Sequence, residues 1–304
     1  MNTQTVLPVN STNVRSYNTM PNGSMGMVRA ALGVAYRVAP GLAAAWVERQ
    51  FLSPARHPWP AAEREWLARA ETGSLHTLGL PEDGWNFRPM RTYRWGRAER
   101  GRVAVLHGWA GRATQFHRFI GPFVAAGYEV IGIDAPGHGA SAGKLSSVFH
   151  FLNALERLVH NAGPVDAVIG HSLGGGTALY ALSEGLQAKK AVLISPNADL
   201  QLYSRIVAQQ LGLAEHHRQT LQARIEQRFG ARWEDINGVR RAARVAQPGL
   251  VIHDADDREI PLSMGEAIAE AWPGAQLMVT HGLGHRRILA DDAVVAAALD
   301  YVRG

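Results

Sequence analysis

Two apolar patterns alternate along most of this chain. Short runs of Val, Ile and Leu with little polar interruption, "RVAVLHG" (102–108), "YEVIGID" (128–134), "VDAVIGH" (165–171), "KKAVLIS" (189–195), "GLVIHDA" (249–255) and "AQLMVT" (275–280), read as strands. Continuous rather than alternating apolarity means burial on both faces. Between them lie segments with helical periodicity: "SSVFHFLNALERLVHNAG" (146–163), "LGGGTALYALSEG" (173–185), "PLSMGEAIAEAW" (261–272) and "DDAVVAAALDYV" (291–302), the last capped by Asp291. Strand–helix alternation of this kind predicts an α/β fold, a mostly parallel sheet flanked by helices.

The alternation begins and pauses at definite places. "MRTYRWG" (90–96) and "RVAVLHG" are joined by the short polar turn "RAER" (97–100), which predicts a hairpin leading into the first buried strand. After Ser195 about fifty residues carry helical periodicity alone, in "DLQLYSRIVAQQLGL" (199–213) and "EHHRQTLQARIEQRFG" (215–230). A helical insert between two strands of one sheet is expected to form a lid over the sheet's edge. Upstream, "SPARHPWP" (53–60) separates an N-terminal segment from Pro60-"AAEREWLARA", a helix start. The expected divisions are therefore 1–60, 61–195, 196–246 and 247–304, with the third as the lid.

The N-terminal segment "MVRAALGVAYRVAPGLAAAWVERQFL" (27–52) is apolar but interrupted by Arg29, Arg37, Pro40-Gly41 and Glu48, too broken to span a bilayer. It is expected to form two short amphipathic helices packed on the body of the protein, with weak membrane-surface association as the competing reading. Residues 1–24, rich in Asn, Thr and Ser, lack the basic start and long apolar core of a secretion signal, and a cytoplasmic location is expected.

Composition narrows the function classes. Of 304 residues 46% are hydrophobic and 19% charged, which fits a packed globular protein. The formal charge of +5 comes almost wholly from arginine, with no basic run interleaved with aromatics, so a nucleic-acid partner is not expected. The absence of cysteine excludes disulfides, thiolate metal sites and a cysteine nucleophile. In the expected lid, Arg205, Arg218, Arg224, Arg228, Arg232, Arg240, Arg241 and Arg244 outnumber the acids, a hint of anionic substrates or a solvated face salt-bridged to Glu215 and Glu226. His216-His217, adjacent on a helix, point in different directions and predict no metal site.

The chemistry is concentrated at "VDAVIGHSLGGGTALYAL", where Ser172 stands between Gly170 and Gly174 as a strand pattern becomes a helix pattern. A nucleophile on so sharp a turn sits in a strained conformation, and side chains two residues before or after it would collide with neighbouring backbone. The turn presents the hydroxyl above the carboxyl ends of the parallel strands, with the N-terminus of the next helix aimed at any negative charge formed there. A serine needs a base and an acid placed on later strand ends. "VIHDADDREIP" offers Asp254, Asp256, Asp257 and Glu259 as acids; "THGLGHRRIL" offers His281 and His285 as bases.

Five stretches in one order, "LHGWAG" (106–111), "DAPGHGAS" (134–141), "GHSLGG" (170–175), "HDADDREIP" (253–261) and "GLGHRRIL" (282–289), resemble the α/β-hydrolase superfamily over roughly residues 74–304. The resemblance implies an α/β-hydrolase fold and a serine esterase with Ser172, Asp257 and His285 as the catalytic triad. It further implies an oxyanion hole of the Trp109 and Leu173 backbone N–H groups. His107 and Gly108 would let the backbone approach the reacting carbonyl, with His171 at the binding site, and Asp134 to Ser141 would brace the sheet structurally. A small-molecule ester or acyl substrate is implied, with no metal and no organic cofactor. The chain departs from the family where Asp254 and Arg258 replace its usual glycine and proline, which leaves Asp254 and Asp256 as fallback acids. Perhydrolysis, with which Trp109 and the triple glycine 174–176 are compatible, thioester, amide and carbon–carbon bond hydrolysis share such a site. A non-catalytic binding protein of the same fold is the remaining alternative.

Overall fold

The computed structural model describes residues 22–77 and 88–304. The polar stretch through residue 21 lies outside the described residues.

Eight strands form one sheet in the order β1-β2-β4-β3-β5-β6-β7-β8. They are β1 (Glu71–His76), β2 (Pro89–Trp95), β3 (Gly101–Leu106), β4 (Tyr128–Ile133), β5 (Val165–His171), β6 (Ala188–Ile194), β7 (Gly249–Asp254) and β8 (Ala275–Thr280). From β4 through β8 every neighbouring pair is parallel, and the strands read as apolar runs lie in this part. The sheet is covered on both faces except at its edges, where β1 and, against the expectation from its apolar run, β8 are largely exposed because no strand lies beyond them. One face carries α5 (Val148–Ala162), α6 (Leu173–Ser183) and α10 (Leu262–Ala271); the other carries α4 (His117–Ala125) and α12 (Asp292–Arg303). Two-sided cover is what uninterrupted Val/Ile/Leu strands require.

The expected hairpin does not form. β2 pairs antiparallel with β1 and β4, whereas β3 sits between β4 and β5, so the two strands flanking "RAER" are not neighbours. The link crosses the start of β4 instead: Gly96, at φ +74°, turns the chain under Val124 and Tyr128, and Arg100 N–H donates to the Gly127 carbonyl. β3 is buried from Val103 to Leu106 and takes a parallel partner on each side, which a hairpin with β2 would have denied it. β1, "ETGSLH", carries no apolar signal and lies exposed at the edge.

Between β6 and β7 the chain forms α7 (Leu200–Leu211), α8 (Glu215–Phe229) and the short α9 (Gly238–Ala242). Asp199 caps α7 by accepting from Gln201 N and Leu202 N. The N-terminal helices α1 (Asn22–Val38) and α2 (Pro40–Leu52) pack on this insert rather than on the sheet. Their Leu32, Val47, Phe51 and Leu52 share an apolar core with Tyr203, Leu211, Leu221, Ile225 and Trp233. Glu48, buried within it, receives Arg224 at 2.6 Å and Arg228 at 2.7 Å. Arg29 donates to the Gln210 carbonyl, and Tyr36 stacks on His217 at 3.7 Å between ring centroids.

The arginines of this insert are largely paired within the protein. Arg218 meets Glu215, Arg232 meets Asp235, Arg240 meets Glu234 and Arg241 meets Glu184. Glu226 takes no arginine; it accepts from Gln222 and from the Trp233 N–H. The arginine excess is thus mostly structural, and the insert offers little of the field that would single out anionic substrates.

The segment 53–60 is likewise part of the body. Arg112 donates to the carbonyls of His57 and Pro58 and to Glu63 of α3 (Ala61–Ala68), while stacking over Trp59 at 4.5 Å. This buried pair fastens the proline-rich stretch beside the loop that follows β3.

Candidate active site

Ser172 is the single residue between β5 and α6, held at φ +53°, ψ −122°. That conformation is strained for a residue with a Cβ. Backbone bonds on both sides enforce it: Ser172 N–H donates to the Ile194 carbonyl, and its own carbonyl accepts from Gly176 N and Asn197 N. A Cβ on Gly170 would lie 2.6 Å from the Gly174 carbonyl oxygen. One on Gly174 would fall on the carbonyls of Leu106 and His107 at the end of β3, and one on Gly176 would fall on that of Asn197. The triple glycine is therefore explained by close packing of α6 against two loops, without reference to any particular reaction.

The acid and base meet across the ends of β7 and β8. His285 is the second residue of the short helix α11 (Gly284–Arg287), and its Nδ1 lies 2.7 Å from Asp257 Oδ2, with both side chains buried. Asp257 Oδ1 accepts from the N–H groups of Glu259 and Ile260, which leaves Oδ2 for the imidazole. Burial pushes the Asp257 carboxyl up, but the His285 hydrogen bond and charge, together with those two N–H groups, outweigh it and hold the carboxyl below its usual range. His253 lies 3.6 Å from the same oxygen and gives its Nε2 to the Ile260 carbonyl.

The competing acids do other work. Asp254 accepts from Asp256 N, Thr280 Oγ1, Leu283 N and Gly284 N, so both its oxygens are spent on tying the His285 loop to β7. Asp256 accepts from Gly282 N. His281 is exposed and is not among the cavity-lining residues. Asp254, where the family usually has glycine, is therefore a clamp on the loop.

His171 and His107 are both fully buried but differ in place. His171 Nε2 donates to the backbone carbonyl of His285 at 2.8 Å, and burial beside that ring lowers its pKa to about 3, so it holds the loop as a neutral ring. His107 accepts from Ala135 N through Nε2 and donates from Nδ1 to the Gly108 carbonyl; burial lowers its pKa to about 4. The His107 ring packs against His138 and Phe151 and is not among the cavity-lining residues, so what this residue brings toward the cavity is its backbone. Asp134 accepts from Tyr93 Oη, Ala113 N and Ala140 N, a bracing role for that loop.

A cavity of about 200 Å³ lies over the strand ends, and its wall holds Ser172, His285, His171, Gly108 and Trp109. A Cβ on Gly108 would come within 2.9 Å of Ser172 Cβ, so only glycine lets this loop approach the serine so closely. The loop then turns at Ala110, φ +56°, with Gly111 N–H bonded to the Gly108 carbonyl. Leu173 opens α6, where backbone N–H groups have no intrahelical partner. His57, Glu63, His117, Gln115 and Arg286 also line it. Sequence reasoning did not single them out, because all but Arg286, the neighbour of His285, come from separate elements without motif spacing. Among the described residues, no group of three or more His, Asp or Glu side chains is placed to hold a metal ion.

Comparison with known proteins finds hydrolases among the chains similar to this one. A family model described as serine aminopeptidase, S33, matches residues 97–237, which hold Ser172 and the loop after β3 but end before Asp257 and His285. The chain is 30% identical to a "probable serine hydrolase" of Drosophila melanogaster over 44% of each chain. It is 28% identical to the 2-hydroxy-6-oxo-6-phenylhexa-2,4-dienoate hydrolase of Burkholderia cepacia, over 60% of this chain and 80% of that one. In structure it resembles the monoacylglycerol lipase of Paleococcus ferrophilus, with a TM-score of 0.57 at 20% identity, covering 70% of this chain and 98% of the other. With the eight-stranded sheet, the serine turn and these likenesses together, the chain has the α/β-hydrolase fold and is similar in sequence to serine hydrolases.

Proposed function

We propose that the protein hydrolyses carboxylic esters through an acyl-enzyme, with Ser172 as nucleophile, His285 as base and then acid, and Asp257 orienting the imidazole. The observation that carries this reading is the 2.7 Å Asp257–His285 contact at the rim of a cavity whose wall also holds Ser172. With Nδ1 engaged by Asp257, Nε2 is the ring nitrogen left to take the serine proton. Ser172 Oγ attacks the carbonyl carbon, and the developing oxyanion is met by the N–H groups of Trp109 and Leu173. The imidazolium returns its proton to the leaving alcohol; water, deprotonated in turn by His285, releases the acid. The named activities of relatives, a monoacylglycerol lipase and hydrolases of dienoates among them, fit a site of this chemistry.

The test is turnover of p-nitrophenyl butyrate. Ser172→Ala is expected to lower kcat by roughly 10⁴–10⁶-fold and Asp257→Asn by about 10⁴-fold. Full activity in Ser172→Ala would overturn the assignment.

A second reading concerns the surface on which the enzyme works. Most of the large apolar side chains exposed among the described residues lie on α1 and α2, with Val38 78% and Leu42 76% exposed beside Met27, Val34 and Trp46. Arg37 and Arg49 are exposed on the same helices, which suits an anionic lipid surface. No helix among the described residues is long and apolar enough to cross a membrane. Co-sedimentation with phosphatidylglycerol vesicles is expected to fall in Val38→Ser/Leu42→Ser; equal sedimentation of both proteins would contradict surface binding through this face.

A further inference from the structure

A second cleft adjoins the catalytic cavity on the far side of Trp109, which lines both. Leu173, the residue after the nucleophile, is in its wall. The two residues whose N–H groups would hold the oxyanion thus stand between a polar cavity and this cleft, where a bound ester would divide into its alcohol and acyl halves. The cleft is narrow, with about 30 Å³ of interior room against about 200 Å³ beside Ser172. Phe51 and Leu52 of α2, Phe149 of α5, Leu200 of α7, and Ile225 and Phe229 of α8 make it almost wholly apolar. A slot of this width and chemistry admits an unbranched alkyl chain and rejects branched or aromatic acyl groups.

Four polar residues line the cleft, Ser146, Ser147, Asn197 and Tyr203. Ser147 Oγ meets His150 Nδ1, whereas Ser146 Oγ and Asn197 Oδ1, buried on residues 0% and 5% exposed, have no hydrogen-bond partner among the described residues. Their backbones are fixed: Ser146 N–H donates to the Leu52 carbonyl at 2.7 Å, and Asn197 N–H to the Ser172 carbonyl at 2.9 Å. Asn197 is therefore one backbone hydrogen bond from the nucleophile, at the carbonyl end of the cleft. An alkyl chain alone would leave both atoms unsatisfied, an arrangement that folded proteins avoid. A hydroxyl is the group whose chemistry matches both, since it can donate to an amide oxygen and accept from a serine hydroxyl.

We propose that this cleft is the acyl subsite and that it takes an unbranched acyl chain bearing a hydroxyl within a few carbons of the carbonyl. The proposal rests on the ester-hydrolase reading above and names the substrate class of that site. Its distinctive part is the hydroxyl, because a site built around paired polar groups discriminates strongly against an analogue that leaves them bare.

The experiment compares methyl hexanoate with methyl 2-hydroxyhexanoate and methyl 3-hydroxyhexanoate by pH-stat titration on the full chain. One of the hydroxy esters is expected to exceed methyl hexanoate in kcat/KM at least tenfold, equivalent to about 1.4 kcal/mol. Ser146→Ala and Asn197→Leu should each bring that ratio toward one, and Ser146→Thr should keep it. Binding is read separately from turnover in Ser172→Ala protein, where the preferred hydroxy ester is expected to raise Tm more than methyl hexanoate does. Turnover of all three esters at equal kcat/KM, or a preference that survives both substitutions, overturns the proposal while leaving the esterase reading intact. Absence of turnover with the selective Tm rise retained overturns the esterase reading and leaves the hydroxyl-reading cleft. Absence of both overturns the two together.

Discussion

Asp254 and Asp257 stand three residues apart on one acidic turn, and what separates them is the direction of their hydrogen bonds. Asp257 has one oxygen held by backbone N–H groups and one turned to His285; Asp254 has both oxygens committed to Thr280 and the backbone of the His285 loop. Charge and spacing alone could not divide these roles, because Asp254 ends β7 and Asp257 follows it by only three residues on the same turn. The resemblance selected Asp257, and the geometry brings that residue to His285. Ser172 with its two glycines was legible directly, since the constraint is local backbone crowding. The bracing roles of His171 and Asp254 were not, because each depends on a carbonyl or N–H more than twenty residues away. As a positioning residue, Asp254 is expected to act on rate more than on affinity. Asp254→Ala should lower kcat by roughly 10–100-fold through misplacement of His285, with KM changed far less. A KM rise without loss of kcat, measured by steady-state kinetics, would contradict that role.

Among the elements, the long periodic helices and the buried strands follow their sequence patterns closely, since each is decided by burial of a continuous apolar face. Three features escaped. The β2–β3 hairpin failed because strand order is set by which strands need two covered faces, a property of the whole sheet. β1 and α11 are short and polar, and their places come from β2 and from the Asp254 clamp. The N-terminal helices were expected to pack on the body, yet their partner is the insert, through Glu48 and the apolar residues around it. This makes α2 a wall of the apolar cleft, so removal of residues 1–52 would open that cleft as well as expose Leu221 and Ile225. Glu48→Ala should lower stability by about 2 kcal/mol, the loss of two charge-assisted hydrogen bonds from arginines that can still reach water. Urea denaturation checks this; an unchanged midpoint would show that the α2–α8 contact is held by packing alone.

For the molecule as a whole, buried neutral histidines set the response to acid. His107, His138 and His171 are held below the ordinary histidine range by burial, His107 to about 4 and His171 to about 3. The unfolded chain therefore binds protons that the folded one refuses, and stability falls as pH drops from about 6.5 toward the folded values. For His107 the full loss is on the order of 3 kcal/mol. Asp134, raised by burial, opposes this trend. Thermal unfolding is expected to show Tm declining steadily between pH 6.5 and 4; a flat Tm across that window would mean these rings are protonated in the fold.

The convergence of Ser172, His285 and Asp257 is tested most directly by labelling the folded protein with a fluorophosphonate and mapping the adduct by mass spectrometry. The account predicts a single adduct on Ser172, formed much more slowly in His285→Ala and absent from Ser172→Ala. No adduct on Ser172, or labelling that proceeds at full rate without His285, would contradict it.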